Sequence, residues 1–217
     1  MGTRWVLATA LALATLGAAR DAQSQLRGDL GAYGGVSQRV ISHPAGGAAV
    51  AGPIVGLEGH LALMPMLRAG AYLHGELAPT DDAVATKKML AGGLRFKFVP
   101  PWPRGDFRAW LGAGLGYVGA SSAQYSQQLQ AGTVSVDAAG GGYVEVPVAL
   151  GVSYRVQRPL VLFAELTTRF GFAFGGSLYG DGGTRGAKTA QGAPVGIAST
   201  GTDVFAAGFA LGVGFDL

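Results

Sequence analysis

The side chains able to do acid–base chemistry are few in this chain: 16 Lys and Arg, 13 Asp and Glu and three His among 217 residues, with no Cys. The missing thiol excludes a disulfide framework, a thiolate zinc centre and a cysteine nucleophile. Two acid–imidazole pairs stand out, Glu58 with His60 and His74 with Glu76, each separated by one residue. In an extended strand that spacing puts both members on one face, where a carboxylate and an imidazole can act as general acid and base. A lipid esterase or acyltransferase would also need a hydroxyl nucleophile within hydrogen-bond reach. No G-x-S-x-G elbow occurs, and Ser42 and His43 are merely neighbours in sequence. The glycine runs Gly31 to Gly35 and Gly112 to Gly116 precede no helix, so they do not read as phosphate cradles. Asp81 and Asp82 read as solvated loop acids rather than a cation site. No cofactor and no metal is expected, and the charged residues read first as a set of structural ion pairs.

The composition narrows the class. Charged residues make up 13%, hydrophobic ones 49% and glycine 38 of 217 positions, with a mean hydropathy of +0.32. Such apolarity excludes a disordered chain, and the glycines lack the three-residue period of collagen. The formal net charge of +3 is too small and dispersed for a nucleic-acid surface.

The elements that must position these residues follow from period-two patterning. Residues 1–24 read as a signal peptide: Arg4, an apolar run from Trp5 to Ala19, then Ala22-Gln23-Ser24 before a cleavage point. From there to Leu217 the pattern predicts one all-β domain, 25–217. Val144, Val146, Val148, Leu150, Val152, Tyr154 and Val156 occupy alternate positions, as do Phe205 to Leu217, Phe107 to Tyr117, Val55 to Leu63, Leu67 to Leu77, Leu90 to Phe98 and Leu160 to Phe172. Leu30 to Val36 supplies a weaker first strand. Short turns at Met64 to Met66, Pro100 to Asp106 and Gln157 to Pro159 alternate with long connections at Gln38 to Pro53, Ala78 to Lys88, Gly119 to Gly142 and Gly175 to Asp203. Seven connections predict an eight-stranded antiparallel up-and-down β-barrel, and alternating loop lengths are the habit of a transmembrane one. Pro147 removes a ladder donor in mid-strand and predicts a bulge.

The face opposite the apolar one is mostly Gly and Ala, interrupted by Asp29, Glu58, His60, Arg68, His74, Glu76, Arg95, Lys97, Arg108, Glu145, Arg155, Glu165, Arg169 and Asp216. A water-exposed surface would be denser in charge, as on a soluble lipocalin-like barrel, so the apolar face is assigned to lipid and the charged one to a narrow lumen. The expected lumen network comprises Glu58, His60, Arg68, His74, Glu76, Arg95, Lys97, Glu145, Arg155, Glu165 and Arg169. Within it, the turns put Glu58 diagonal to His74 and Glu145 diagonal to Arg169. Phe98, Phe107, Tyr154 and Phe215 at one end and Tyr117, Phe172 and Phe205 at the other would form interface girdles.

On this pattern the chain resembles the small eight-stranded outer-membrane barrels of the OmpA, OmpX and OmpW group. The resemblance implies residence in the bacterial outer membrane after export, contact with its lipids, and a final strand read by the barrel-assembly machinery. Phe209, Leu211, Val213 and Phe215 match that signal, while Leu217 stands where the group has a terminal aromatic. The expected role is structural or surface-interacting, with long loops offered to an extracellular ligand, and not enzymatic. A narrow small-solute channel and a lipid-modifying enzyme are the alternatives.

Overall fold

The computed structural model describes residues 27–43, 46–79, 85–101, 105–129, 132–179, 184–198 and 202–217. The expected signal peptide and the Asp81–Asp82 pair lie outside the described residues.

Alternation of large apolar side chains with small or charged ones leaves each strand two different faces, and a sheet with one greasy face in lipid must close to satisfy its edges. The ring is formed by β1 (Gly28–His43), β2 (Gly46–Met64), β3 (Leu67–Pro79), β4 (Thr86–Phe98), β5 (Phe107–Ser122), β8 (Ala139–Gln157), β9 (Leu160–Gly176) and β12 (Thr202–Asp216). Each pairs antiparallel with its neighbour in this order, and β1 pairs with β12 to close the barrel, with Leu30 opposite Phe215 and Val36 opposite Phe209. Leu150, Leu94 and Leu211 are 52%, 65% and 58% exposed, as lipid contact requires. Phe107 and Tyr117 mark the two ends of the large apolar side chains in the outward row on β5. Ten residues at about 3.3 Å, tilted by about 40°, span about 25 Å of membrane normal, the height of an outer-membrane apolar band.

Inside, close approach explains the glycines. A Cβ on Gly70 would lie 1.8 Å from the Gly59 carbonyl oxygen, and one on Gly151 would lie 2.1 Å from the Trp110 ring.

Several expectations are corrected. The stretch Gln38 to Pro53 is not a long loop: β1 continues to His43 and pairs with β2 from Gly46, with Arg39 and Ile41 buried inside. Beyond the lipid band the outward face need not be apolar, so the strands run on without the contrast that marks them below. Two further long connections are themselves hairpins. β6 (Tyr125–Leu129) pairs with β7 (Gly132–Val136), and β10 (Thr184–Thr189) with β11 (Pro194–Ala198). The hairpins join through β10 and β7 into a separate four-stranded sheet, β11-β10-β7-β6. Pro147 interrupts the β5–β8 ladder between Ala113↔Val148 and Gly116↔Glu145 without changing the register, so the missing donor makes a gap rather than a bulge.

Above the lipid band β9 bends inward at Ala173, whose φ of 56° lies in the left-handed region. The segment after it folds back over the lumen, where the Leu178 amide donates to the Gly140 carbonyl at 3.0 Å. Leu178 and Tyr179 join Ala78, Met89, Ala91, Val118, Ala120 and Tyr143 in an apolar cluster.

Candidate functional site

All eleven residues expected in the lumen face inward, and their partners divide into three tiers. Nearest the short turns, Asp29 accepts from Arg68 and contacts His60 Nδ1 at 2.9 Å. In the same tier Asp216 binds Arg155 at 2.6 Å and Arg108 at 3.0 Å. In the middle, Glu58 accepts from Lys97 and from Arg95, the latter at 2.9 Å, while Arg95 also donates to Glu165 at 2.6 Å. Trp110 lies beneath both cations, 4.3 Å from Lys97 Nζ and 5.2 Å from the Arg95 guanidinium. Tyr33 meets Phe163 edge-on at 6.5 Å beside this layer.

Toward the long-loop end Glu76 is the hub. Arg39 grips it with two hydrogen bonds, 2.5 and 2.8 Å, and Arg169 adds a third at 3.0 Å. Arg169 also contacts His74 Nε2 at 2.9 Å and donates to Ser37 at 2.5 Å, and Arg39 donates to Tyr143 at 2.6 Å. Lys87 pairs with Asp203 at 2.6 Å, and Asp203 accepts from Tyr179 at 2.9 Å. Burial first, and then the neighbouring Asp203 charge, hold the Tyr179 hydroxyl far above the usual phenol range.

Partner choice departs from the sequence expectation. The register does place Glu58 opposite Tyr72 and Glu145 opposite Gly171, so His74 and Arg169 are their diagonal neighbours. Yet Glu58 is taken by Arg95 and Lys97, and Glu145 accepts from Tyr72 at 2.8 Å, lies 4.0 Å from His74, and keeps Oε2 without a hydrogen-bond partner. Long side chains from other strands, Arg95 and Lys97 for Glu58 and Tyr72 for Glu145, win over the diagonal contacts.

Sequence reasoning missed Arg39, Lys87 and Asp203, which it placed in loops. Arg39 continues the inward parity of Ser37, and Lys87 that of Met89, so extending the alternation would have found both. Asp203 shares the outward parity of Phe205, and a register shift opposite Val40 and Ser42 turns it inward; nothing in the sequence signals that.

The ligand atoms of Asp29, Glu58 and His60 lie within 4.8 Å of one another, a spacing a metal ion could use. Arg68, Lys97 and Arg95 already neutralise those carboxylates, so the place for a cation is taken by the protein's own. His60 contacts Asp29 through Nδ1 and keeps a buried Nε2 without a hydrogen-bond partner, and His74 contacts Arg169.

No family model matches the chain, and no curated protein matches it. Among solved structures it is similar to a major outer membrane protein from Thermus thermophilus, at 11% identity and a TM-score of 0.50, covering 86% of this chain and 99% of that one. It is also similar to Neisserial surface protein A, with 15% identity, a TM-score of 0.49 and 87% and 97% coverage. Ail, the attachment invasion locus protein of Yersinia pestis, follows at 11%, 0.44, 88% and 99%. At these identities the likeness is one of fold: a small eight-stranded outer-membrane β-barrel.

Proposed function

We propose that this outer-membrane barrel acts through its outer surface, with the ion pairs serving as a plug and the four-stranded loop sheet as the contact surface for an extracellular ligand. The observation that carries the reading is the contrast between the two parts. Inside, charged groups are cross-linked around cavities of about 30 and 50 Å³, which hold a few water molecules and no solute. Outside, two loops fold into a sheet that the barrel does not need for closure. On this reading the protein is not an enzyme, its signal segment directs export, and the outward row Phe209, Leu211, Val213, Phe215 and Leu217 is what the assembly machinery reads.

The natural chain has no Cys, so single cysteines report topology cleanly. Lys188→Cys on β10 should react with a membrane-impermeant maleimide on intact cells, and Arg158→Cys in a short turn only after permeabilisation. Planar bilayers should show no large stable openings. Steady conductance from the wild type, or labelling of Arg158→Cys on intact cells, would overturn the reading.

A further inference from the structure

The described residues leave the end of the barrel away from the loop sheet open. Between the short turns lies a vestibule of about 1010 Å³, lined by Arg27, Arg68, Arg108, Arg155 and Arg158 with Asp216 as the acidic member. These arginines come from equivalent places in the fold. Arg27 precedes β1, Arg68 and Arg108 are second in β3 and β5, and Arg155 and Arg158 flank the end of β8, so the closing of the barrel brings five guanidinium groups to one mouth.

Among the described residues the acids at this end, Asp106 and the Leu217 carboxylate included, form ion pairs with only three of the five arginines. Asp29 serves Arg68, and Asp216 is divided between Arg108 and Arg155. Arg155 Nε is buried without a hydrogen-bond partner. Arg27 and Arg158 are exposed to the vestibule side and join no carboxylate among the described residues. A surplus of like charge in a cleft walled by hydrocarbon focuses the field on whatever enters. Guanidinium forks match phosphate oxygens two at a time, and a group carrying two charges can bridge several forks without displacing Asp216. Inward of Arg68, Arg108 and Asp216, which line both spaces, the lumen narrows to a cavity of about 50 Å³ bounded by Trp110, Lys97 and Phe163. A molecule that enters is held rather than passed on.

We propose that this vestibule binds a soluble ligand bearing two or more phosphate groups, from the side of the membrane on which the short turns lie. The proposal rests on the barrel and not on the surface role of the loop sheet, so either can fail alone. The arginines line the inside of the mouth, which favours a free phosphate over a lipid headgroup of the surrounding leaflet.

The test uses the full barrel in nanodiscs of phosphatidylcholine, titrated with pyrophosphate by calorimetry. Saturable binding should weaken about tenfold or more in the Arg27→Gln/Arg158→Gln variant, which breaks no ion pair, and should fall as salt rises from about 50 to 300 mM. Lys188→Gln on the loop sheet should leave it unchanged. Heat-modified gel migration identical to wild type confirms that the double variant is folded. No saturable binding, or binding undiminished in the double variant, would overturn the site. Loss of pyrophosphate binding in nanodiscs containing phosphatidylglycerol would put a lipid headgroup there and overturn the assignment to a soluble ligand.

Discussion

Glu76→Gln tests whether the lumen network holds the barrel together. The buried Glu76 carboxylate accepts three charge-assisted hydrogen bonds, two from Arg39 and one from Arg169. Glutamine keeps the volume but removes the charge and turns an amide NH₂ toward guanidinium donors. Removing one partner of a buried ion pair costs about 3–5 kcal/mol, and one carboxylate here serves two cations, so the upper part of that range applies. Glu145→Gln is the control. Glu145 receives one hydrogen bond from Tyr72, which Gln can still accept, and its other oxygen has no partner; the expected cost is about 1 kcal/mol or less. With a urea slope of about 2 kcal/mol/M, a difference of about 3 kcal/mol separates the two midpoints by about 1.5 M. Reversible urea unfolding in lipid vesicles, followed by tryptophan fluorescence, measures both. Coincident midpoints, or a lower one for Glu145→Gln, would refute the assignment of Glu76 as the hub.

Leu150→Arg should cost about 2–4 kcal/mol if that position meets mid-bilayer lipid, whereas Leu150→Ala leaves no cavity and should cost far less than the ~2–5 kcal/mol of a core leucine; both are read from folding free energies in one lipid. Gly151→Ala drives a methyl into the Trp110 ring and should destabilise by about 1–3 kcal/mol, while Gly75→Ala, whose Cβ meets nothing closer than 3.9 Å, should be near neutral in the same titration. The raised Tyr179 hydroxyl makes a pH prediction of definite sign. Its contribution is fully present below the unfolded phenol value of about 10 and is lost above it, by up to about 1.4 kcal/mol per pH unit. Between about pH 9 and 11 the wild type should therefore lose more stability than Tyr179→Phe.

Legibility followed the lipid. Where the membrane demands an apolar outer face, as from Val144 to Val156 or from Phe209 to Leu217, alternation alone gives the strand, its inward side and its place in an eight-stranded ring. Where water replaces lipid the demand lapses. Gln38 and Ser42 both point out of β1, and Ser121 points out of β5, so the extensions carrying Arg39 and Lys87 look like loops. The hairpins β6–β7 and β10–β11 pair with each other across a gap of more than forty residues, and no local signal announces that. Inward orientation of the charges was readable from parity, but the choice among partners was not. Arginine and lysine reach farther than a diagonal step, and their targets depend on which strands face each other across the ring.

The hydrogen-bonded ladders of a barrel join only neighbouring strands, and a closed ring of such joints can flatten toward an ellipse with little change in any of them. The lumen contacts resist this because many run across the ring. Arg39 ties β1 to β3 and β8, Arg169 ties β9 to β3, Arg95 ties β4 to β9, Tyr72 ties β3 to β8, and Lys87 ties β4 to β12. They act as spokes. Lateral pressure from the bilayer then meets a braced wheel instead of an empty hoop, and a change in cross-section has to stretch several charged contacts at once. The contacts that cross the narrow lumen are thus also what gives the wall its radial stiffness.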